Sequence, residues 1–155
     1  MRYFGLLLCT LPLLAQSMRV SSGAASPGRK IVIEIALDSP AGAEPLALQW
    51  EVGFPAQALT LEPNGPAAGT AAQAGGKSLT CTARKLTPAV STWACLLAGG
   101  RKRIGNGPVA MLHFAVRANA PAGPQPIVVD KILGVSSAHK KVPIARAEGA
   151  VRVAR

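Results

Sequence analysis

The chain has 155 residues, enough for one domain with a buried core, and its 17 Lys and Arg against 7 Asp and Glu give a formal charge of +10. Apolar residues make up 49% of it, which is too many for a disordered chain and too dispersed for a membrane bundle. The 16 glycines and 13 prolines predict many turns and few long helices, and no internal repeat divides the chain.

Residues 1–17 are predicted to be a signal peptide. Arg2 gives a positive start, residues 5–14 form a short apolar stretch, and Ala15-Gln16-Ser17 supplies the small residues needed for cleavage before Met18. Removal of this segment leaves residues 18–155 as one mature domain. We therefore expect a protein that is secreted, periplasmic or attached to the cell surface.

Two alternatives remain for this first segment. It resembles a transmembrane anchor in its apolarity, but the apolar stretch is shorter than the roughly 20 residues that span a bilayer. Lipidation at Cys9 is disfavoured because Leu8 stands where a small residue is expected. No segment of the mature chain is expected to cross a membrane.

Apolar and polar residues alternate with period two along the mature chain, which is the pattern of half-buried strands. The clearest case is Leu46 to Phe54, where every second residue is a large apolar one. About nine strands are predicted, around residues 19–21, 31–37, 46–54, 59–61, 79–81, 93–97, 111–116, 127–135 and 150–153.

Clusters of Gly, Pro, Asn and Ser separate these strands. They lie at residues 26–28, 39–42, 63–66, 99–100, 105–108 and 121–124. Short strands punctuated in this way predict an all-β sandwich or barrel. Only the Ala-rich stretch at residues 66–74 is a candidate for a helical turn.

The mature chain retains two cysteines, Cys81 and Cys95, on either side of a predicted turn at residues 86–89. In an oxidising compartment this pair predicts a disulfide, which would close a loop of about 15 residues and contribute roughly 3 kcal/mol. Two buried free thiols are the alternative. Two cysteines cannot make a four-ligand zinc site, and neither His113 nor His139 has a helpful spacing, so no metal or cofactor is predicted.

Several segments of the mature chain follow one another in a particular order. Residues 27–33 read Pro-Gly-Arg-Lys-Ile-Val-Ile, residues 46–52 form a long alternating strand, and residues 104–116 combine a Gly-Asn-Gly-Pro turn with a strand that ends in Phe-Ala-Val. A Pro-Ala-Gly turn at 121–123 and a last strand at 149–153 complete the series. This order resembles a cohesin-type module, within the wider group of carbohydrate-binding-domain-like sandwiches.

The resemblance implies a nine-stranded, jelly-roll or immunoglobulin-like β-sandwich. Proteins of this fold dock dockerin modules, bind polysaccharide or serve as structural units, so the fold alone does not select a function. The chain departs from the family pattern at Gly53-Phe54-Pro55, which stands where a Tyr-Asp pair is usual, and the cysteine pair is not a general cohesin feature.

The acidic residues form no evident catalytic pair. Asp38, Glu62, Asp130 and Glu148 could supply the carboxylates of a glycosidase, but nothing in the sequence places two of them across a cleft. His113 lies opposite in phase to its apolar neighbours, which is typical of a surface or half-buried strand residue. No nucleophile elbow, phosphate loop or metal-ligand spacing is present, and we predict a protein that is not an enzyme.

The mature chain has two Trp, two Phe and no Tyr. Trp50 shares a strand face with Leu48 and Val52, and Trp93 shares one with Cys95, so both tryptophans are expected in the core. Sugar rings stack on exposed aromatic faces, and a core position for both therefore counts against a stacking platform.

The basic residues of the mature chain cluster in predicted turns, where they could attract an acidic partner or an anionic surface by long-range steering. The alternative is a role in solubility only. The clustered residues are Arg84, Lys85, Arg101, Lys102, Arg103, Lys140 and Lys141.

These observations predict an exported, non-catalytic binding module. The first hypothesis is a cohesin-like protein–protein interaction with a dockerin-like or envelope protein. The alternatives are a carbohydrate-binding module that recognises polysaccharide and a structural unit of an envelope assembly. Nucleic acid is a poor candidate, because an exported chain without interleaved aromatic residues lacks the usual stacking contacts.

Overall fold

The computed structural model describes residues 15–155. The apolar stretch of the predicted signal peptide therefore lies outside the described residues. The elements, in chain order, are β1 Ser17–Val20, β2 Gly23–Ala25, β3 Lys30–Asp38, β4 Ala47–Pro55, β5 Leu59–Ala68, α1 Thr70–Ala74, β6 Ser78–Leu86, β7 Val90–Ala98, β8 Gly107–Val116, β9 Gly123–Val135, β10 Lys141–Ile144 and β11 Ala147–Val153.

The strands form two sheets that face each other. The four-stranded sheet has the order β1-β3-β8-β5, and the seven-stranded sheet has the order β2-β11-β9-β4-β7-β6, with β10 paired to the far half of β9. The predicted all-β sandwich is confirmed. Each of the nine predicted strands is present. The structure also contains β2 and β10, which were not predicted because their short segments show no clear alternation.

The amino-terminal segment belongs to both sheets. β1 pairs antiparallel with β3, and β2 then pairs parallel with β11 in the other sheet. The crossing brings Val20 and Ser21 against Gly149, where a Cβ atom would lie 2.4 Å from the Ser21 carbonyl oxygen. Only glycine fits at this close approach.

The inner faces of the two sheets pack into one core of aliphatic side chains. Along β4 the alternation predicted from the sequence is observed, and Trp50 and Phe54 are both almost fully buried. Phe54 meets Phe114 of the opposite sheet edge to face, with ring centroids 4.9 Å apart. Trp93 is half-buried and packs against the core, so both tryptophans contact the core as expected.

β6 and β7 form a hairpin at one edge of the seven-stranded sheet. Its turn spans residues 87–89, as predicted, and the Thr87 hydroxyl both accepts from the Val90 amide and donates to its carbonyl. Cys81 lies directly opposite Cys95 in the register, and the two form the predicted disulfide, with Cα atoms 4.1 Å apart. The bond ties edge strand β6, which pairs with β7 alone, to the interior of the sheet.

One predicted turn is wrong. Residues 63–66 were expected to separate two strands, but they lie inside β5, where the pairing with β8 skips from Leu61 to Pro66. The extra residues loop outward, and the Gly65 carbonyl meets the His113 imidazole at 2.7 Å. The strand resumes because Pro66, Ala67 and Ala68 again pair with β8.

Candidate functional site

An open groove of about 870 Å³ lies on the outer face of β6, β7, β4 and β9. β10 closes it on one side. The side chains of the groove that point outward are Gln49, Glu51, Thr80, Thr82, Arg84, Ala94, Leu96, Asp130, Lys131, Leu133 and Pro143.

A row of aligned side chains, three of them apolar, crosses the middle of this groove. The register aligns Thr80, Leu96, Gln49, Leu133 and Pro143 across five neighbouring strands, and we call these residues the Leu96 row. Leu96 is 49% exposed, although it sits in a central position of the sheet. Single exposed aliphatic side chains are common on protein surfaces, but Leu96 lines the same concave face as Leu133.

An ion cluster lies beside the Leu96 row. The Glu51 carboxylate on β4 pairs with the Arg84 Nε at 3.1 Å and with the Lys131 Nζ at 3.3 Å. The side chain of Glu51 is only 16% exposed, whereas those of Arg84 and Lys131 are 63% and 69% exposed. One carboxylate on the groove floor is thus shared by two cations that reach into solvent.

A β-bulge in β9 explains why Lys131 is available. The pairing with β4 shifts between Gln49 and Glu51, so Lys131 and Ile132 together oppose Trp50. Lys131 has a φ of 50°, in the left-handed region that non-glycine residues rarely adopt. The extra residue reverses the phase of the strand, and such bulges commonly redirect a side chain at a site.

The structure separates the predicted basic clusters into two locations. Arg84 and Lys85 lie within β6 and not in a turn, because the strand continues through a register shift to Leu86. Residues 101–103 lie in the loop between β7 and β8, and residues 140–141 lie at the start of β10. The last two clusters are at the same end of the sandwich, away from Arg84.

Arg103 is engaged locally. It donates to the Gly42 carbonyl at 2.8 Å and pairs with Glu44 at 3.5 Å. Backbone hydrogen bonds at Glu44 and Gly42, with a smaller contribution from Arg103, lower the pKa of the Glu44 carboxyl. Arg103 therefore holds the loop between β7 and β8 against the loop between β3 and β4. Lys141, in contrast, lines a small cleft that continues the groove next to Leu96 and Leu133.

The carboxylates proposed for glycoside chemistry are dispersed. Glu62 pairs with Lys30 on the four-stranded sheet, Glu148 pairs with Arg146 next to β11, and Asp38 lies at the end of β3. Asp130 is in the groove, beside Glu51 on the neighbouring strand. The two lie side by side on neighbouring strands, and the Glu51 carboxylate is paired with Arg84 and Lys131.

No group of three or more His, Cys, Asp or Glu side chains within residues 15–155 comes together in a way that could hold a metal ion. No helix in this range is long and apolar enough to cross a membrane.

Sequence reasoning missed Leu96 and Lys131, although both leave a signal. Leu96 occupies the polar phase of β7, so Cys95, Leu96 and Leu97 form an apolar run instead of an alternation. In β9 the buried residues change phase between Val129 and Ile132, which requires one extra residue between them. A break in alternation thus marks both parts of the groove.

No protein-family model matches the sequence, and no relative was found among curated proteins. Solved structures do match the fold. The sixth cohesin of scaffoldin B from Acetivibrio cellulolyticus, solved in complex with a Cel5 dockerin mutant, superposes with a TM-score of 0.73 and 16% identity, over 90% of this chain and 99% of the other.

A non-cellulosomal cohesin from the archaeon Archaeoglobus fulgidus gives a TM-score of 0.72 at 13% identity, over 91% of this chain and 92% of the other. The OlpC cohesin of Clostridium thermocellum, solved in complex with the dockerin Doc435, gives 0.70 at 9% identity, over 90% and 95%. Together with the two-sheet topology, these matches show that the chain folds as a cohesin-like domain.

Proposed function

We propose that this protein is a non-catalytic docking module that binds a protein partner in the groove formed by β6, β7, β4 and β9. The observation that carries the proposal is the half-exposed Leu96 at the centre of a concave, rigid sheet face. The Leu96 row can supply the apolar contacts of an interface, and the Glu51 ion cluster can supply charged contacts through Arg84, a residue type enriched at binding hot spots.

The rigidity of this face supports the same proposal. β4 and β7 are interior strands, and the disulfide fastens β6 to β7 beneath the groove. A surface that does not reorganise on binding loses little conformational entropy, which favours affinity. Two of the structural neighbours described above are cohesins solved with a dockerin, and a dockerin-like module is the corresponding partner for this chain.

A polysaccharide remains the alternative ligand, but the groove offers it no stacking platform. Trp50, Phe54 and Phe114 are buried, and Trp93 points into the sandwich with Cys95 and Leu97. The apolar side chains that face the groove are Ala94, Leu96, Leu133 and Pro143, and the other outward side chains are polar or charged. Export of the protein, and a place in an envelope assembly, remain predictions, which the disulfide supports because such bonds persist in oxidising compartments.

The test uses two matched variants. Leu96→Asp places a charge in the groove, and Val32→Asp places the same charge at a residue of similar exposure, 44%, on the four-stranded sheet. Fragments of the proteins encoded by the source genome are displayed on yeast and sorted for binding to the wild-type domain. Circular dichroism verifies that both variants are folded.

We expect the selected fragments to lose about thirtyfold in affinity for Leu96→Asp, the size of a typical hot-spot loss, and to bind Val32→Asp as they bind the wild type. If no fragment distinguishes the two variants, the groove is not the docking site. Retardation of the wild type by a neutral polysaccharide in an affinity gel, abolished in Leu96→Asp, would establish the carbohydrate alternative instead.

A further inference from the structure

We infer that the protein segment that occupies the groove is acidic, with apolar side chains on the Leu96 row and carboxylates on Arg84 and Lys131. This inference rests on the proposed function and specifies the chemistry of the partner. It is independent of the structural neighbours, and follows from the distribution of charge around the groove.

The ion cluster has unused donors. Arg84 pairs with Glu51 through Nε, which leaves the four terminal N–H groups of the guanidinium free to donate. Lys131 has three N–H donors, and the ion pair with Glu51 uses one of them. Both side chains are about two-thirds exposed. Glu51 neutralises one of these two charges and Asp130, its neighbour on β9, offsets the other, so the excess positive charge comes from the cations that surround the groove.

Other cations extend this charge beyond both sides of the Leu96 row. Lys85 pairs in register with Thr92, whose hydroxyl lies on the outer face next to Gly53, so Lys85 lies on this face below Arg84. Lys141 lines the cleft that continues the groove at the other end. Four cations thus stand against the two carboxylates of Glu51 and Asp130.

The apolar row selects a protein segment over an acidic glycan. Leu96, Leu133 and Pro143 present aliphatic surface, which is matched by aliphatic or aromatic side chains of a peptide. A polyuronate offers regularly spaced carboxylates and no apolar side chain, so it would engage the cations and leave the Leu96 row uncovered. The occupant that satisfies both parts of the groove is therefore a peptide segment with carboxylates next to apolar residues.

Glu51 acts as an internal competitor in this arrangement. It holds Arg84 and Lys131 in the absence of a partner, and an arriving carboxylate must share or displace it. Removal of its charge should therefore tighten binding, which is the opposite of what loss of a structural ion pair would do. This opposite sign separates a role in binding from a role in stability.

The experiment uses, as its probe, the fragments that bind the wild type but not Leu96→Asp. Their affinities are measured for Arg84→Glu/Lys131→Glu, for Glu51→Gln, and for Arg19→Glu/Arg29→Glu. The last variant has the same change in net charge as the first, but its residues precede or lie within the four-stranded sheet. Each measurement is repeated at about 1 M NaCl, where the Debye length is about 3 Å.

We expect a loss of at least about tenfold for Arg84→Glu/Lys131→Glu and a gain of roughly two- to fivefold for Glu51→Gln, with both effects greatly reduced at high salt. Arg19→Glu/Arg29→Glu should stay within about twofold of the wild type. If fragments that lose affinity for Leu96→Asp bind Arg84→Glu/Lys131→Glu and Glu51→Gln with the affinity they have for the wild type, this inference is overturned and the proposed function still stands.

Two other results would also overturn the inference. If no Leu96-dependent fragment exists, the proposed function fails and the inference fails with it. If alginate, a polyuronate, retards the wild type and Leu96→Asp equally but not Arg84→Glu/Lys131→Glu, an acidic glycan occupies the groove through its cations alone.

Discussion

Reduction of the Cys81–Cys95 bond should destabilise the domain by about 3 kcal/mol. The bond joins residues 14 apart in sequence, and the chain-entropy model for a closed loop of this size gives that value at 25 °C. The strand register already places Cys81 opposite Cys95, and the bond adds a covalent link to this pairing. Its contribution is therefore attributed mainly to the unfolded chain.

For a domain of this size, 3 kcal/mol corresponds to a decrease in Tm of roughly 6 to 12 °C. The measurement is thermal unfolding followed by circular dichroism, with and without reductant. A double variant, Cys81→Ala/Cys95→Ala, is the control, and reductant should not change its Tm. The comparison of oxidised with reduced wild type isolates the cross-link from the packing of the buried Cys95 side chain.

The position of the disulfide bond predicts a second effect, which is local to β6. β6 pairs only with β7, so amide hydrogen exchange in residues 78–86 should accelerate on reduction more than exchange in the interior strand β4. A reduced protein that unfolds within about 2 °C of the oxidised one, with unchanged exchange in β6, would refute the reasoning.

Two further predictions concern stability. Gly69→Ala should lower the free energy of unfolding by about 1–3 kcal/mol, because its Cβ would lie 2.4 Å from the Pro108 carbonyl oxygen. The control Gly105→Ala, which has open space around it, should change the free energy measured by urea denaturation by less than about 0.5 kcal/mol. Equal effects of the two substitutions would contradict the packing argument. Lys77 is almost fully buried and donates to the Gly99 carbonyl at 2.6 Å, and burial lowers its pKa below the ordinary value of 10.5. Because the folded state disfavours the protonated amine, the wild type should gain stability relative to Lys77→Met as the pH rises toward 10.5; a difference independent of pH would show that the amine does not titrate in this way.

Much of the sandwich could be predicted because one physical rule governs it. A strand with one buried face alternates, and β4 does so from Leu48 to Phe54 without interruption. The disulfide was predictable for a related reason, since a tight turn midway between two cysteines brings them into register. β2 and β10 were missed because strands of three and four residues are too short to show a period.

The groove was harder to predict, because it depends on which residues a register brings together. Glu51 and Arg84 are separated by an entire strand in space and by 33 positions in sequence (84 minus 51), and the order β4-β7-β6, with a register shift at Arg84, brings them together. Lys131 reaches Glu51 through a bulge, whose trace in the sequence is the change of apolar phase between Val129 and Ile132. Charge clusters read along the chain therefore found Arg84 but not its partners.

The pairing of β2 with β11 has a consequence for how the domain forms. The Ala150 amide donates to the Ser22 hydroxyl across 128 positions of sequence, and the parallel ladder that follows joins residues equally far apart. Contacts this distant in sequence are slow to form, because the loop-closure entropy is lost before they contribute. The pairing of β2 with β11, and with it this edge of the seven-stranded sheet, cannot form until Val151–Val153 has been synthesised.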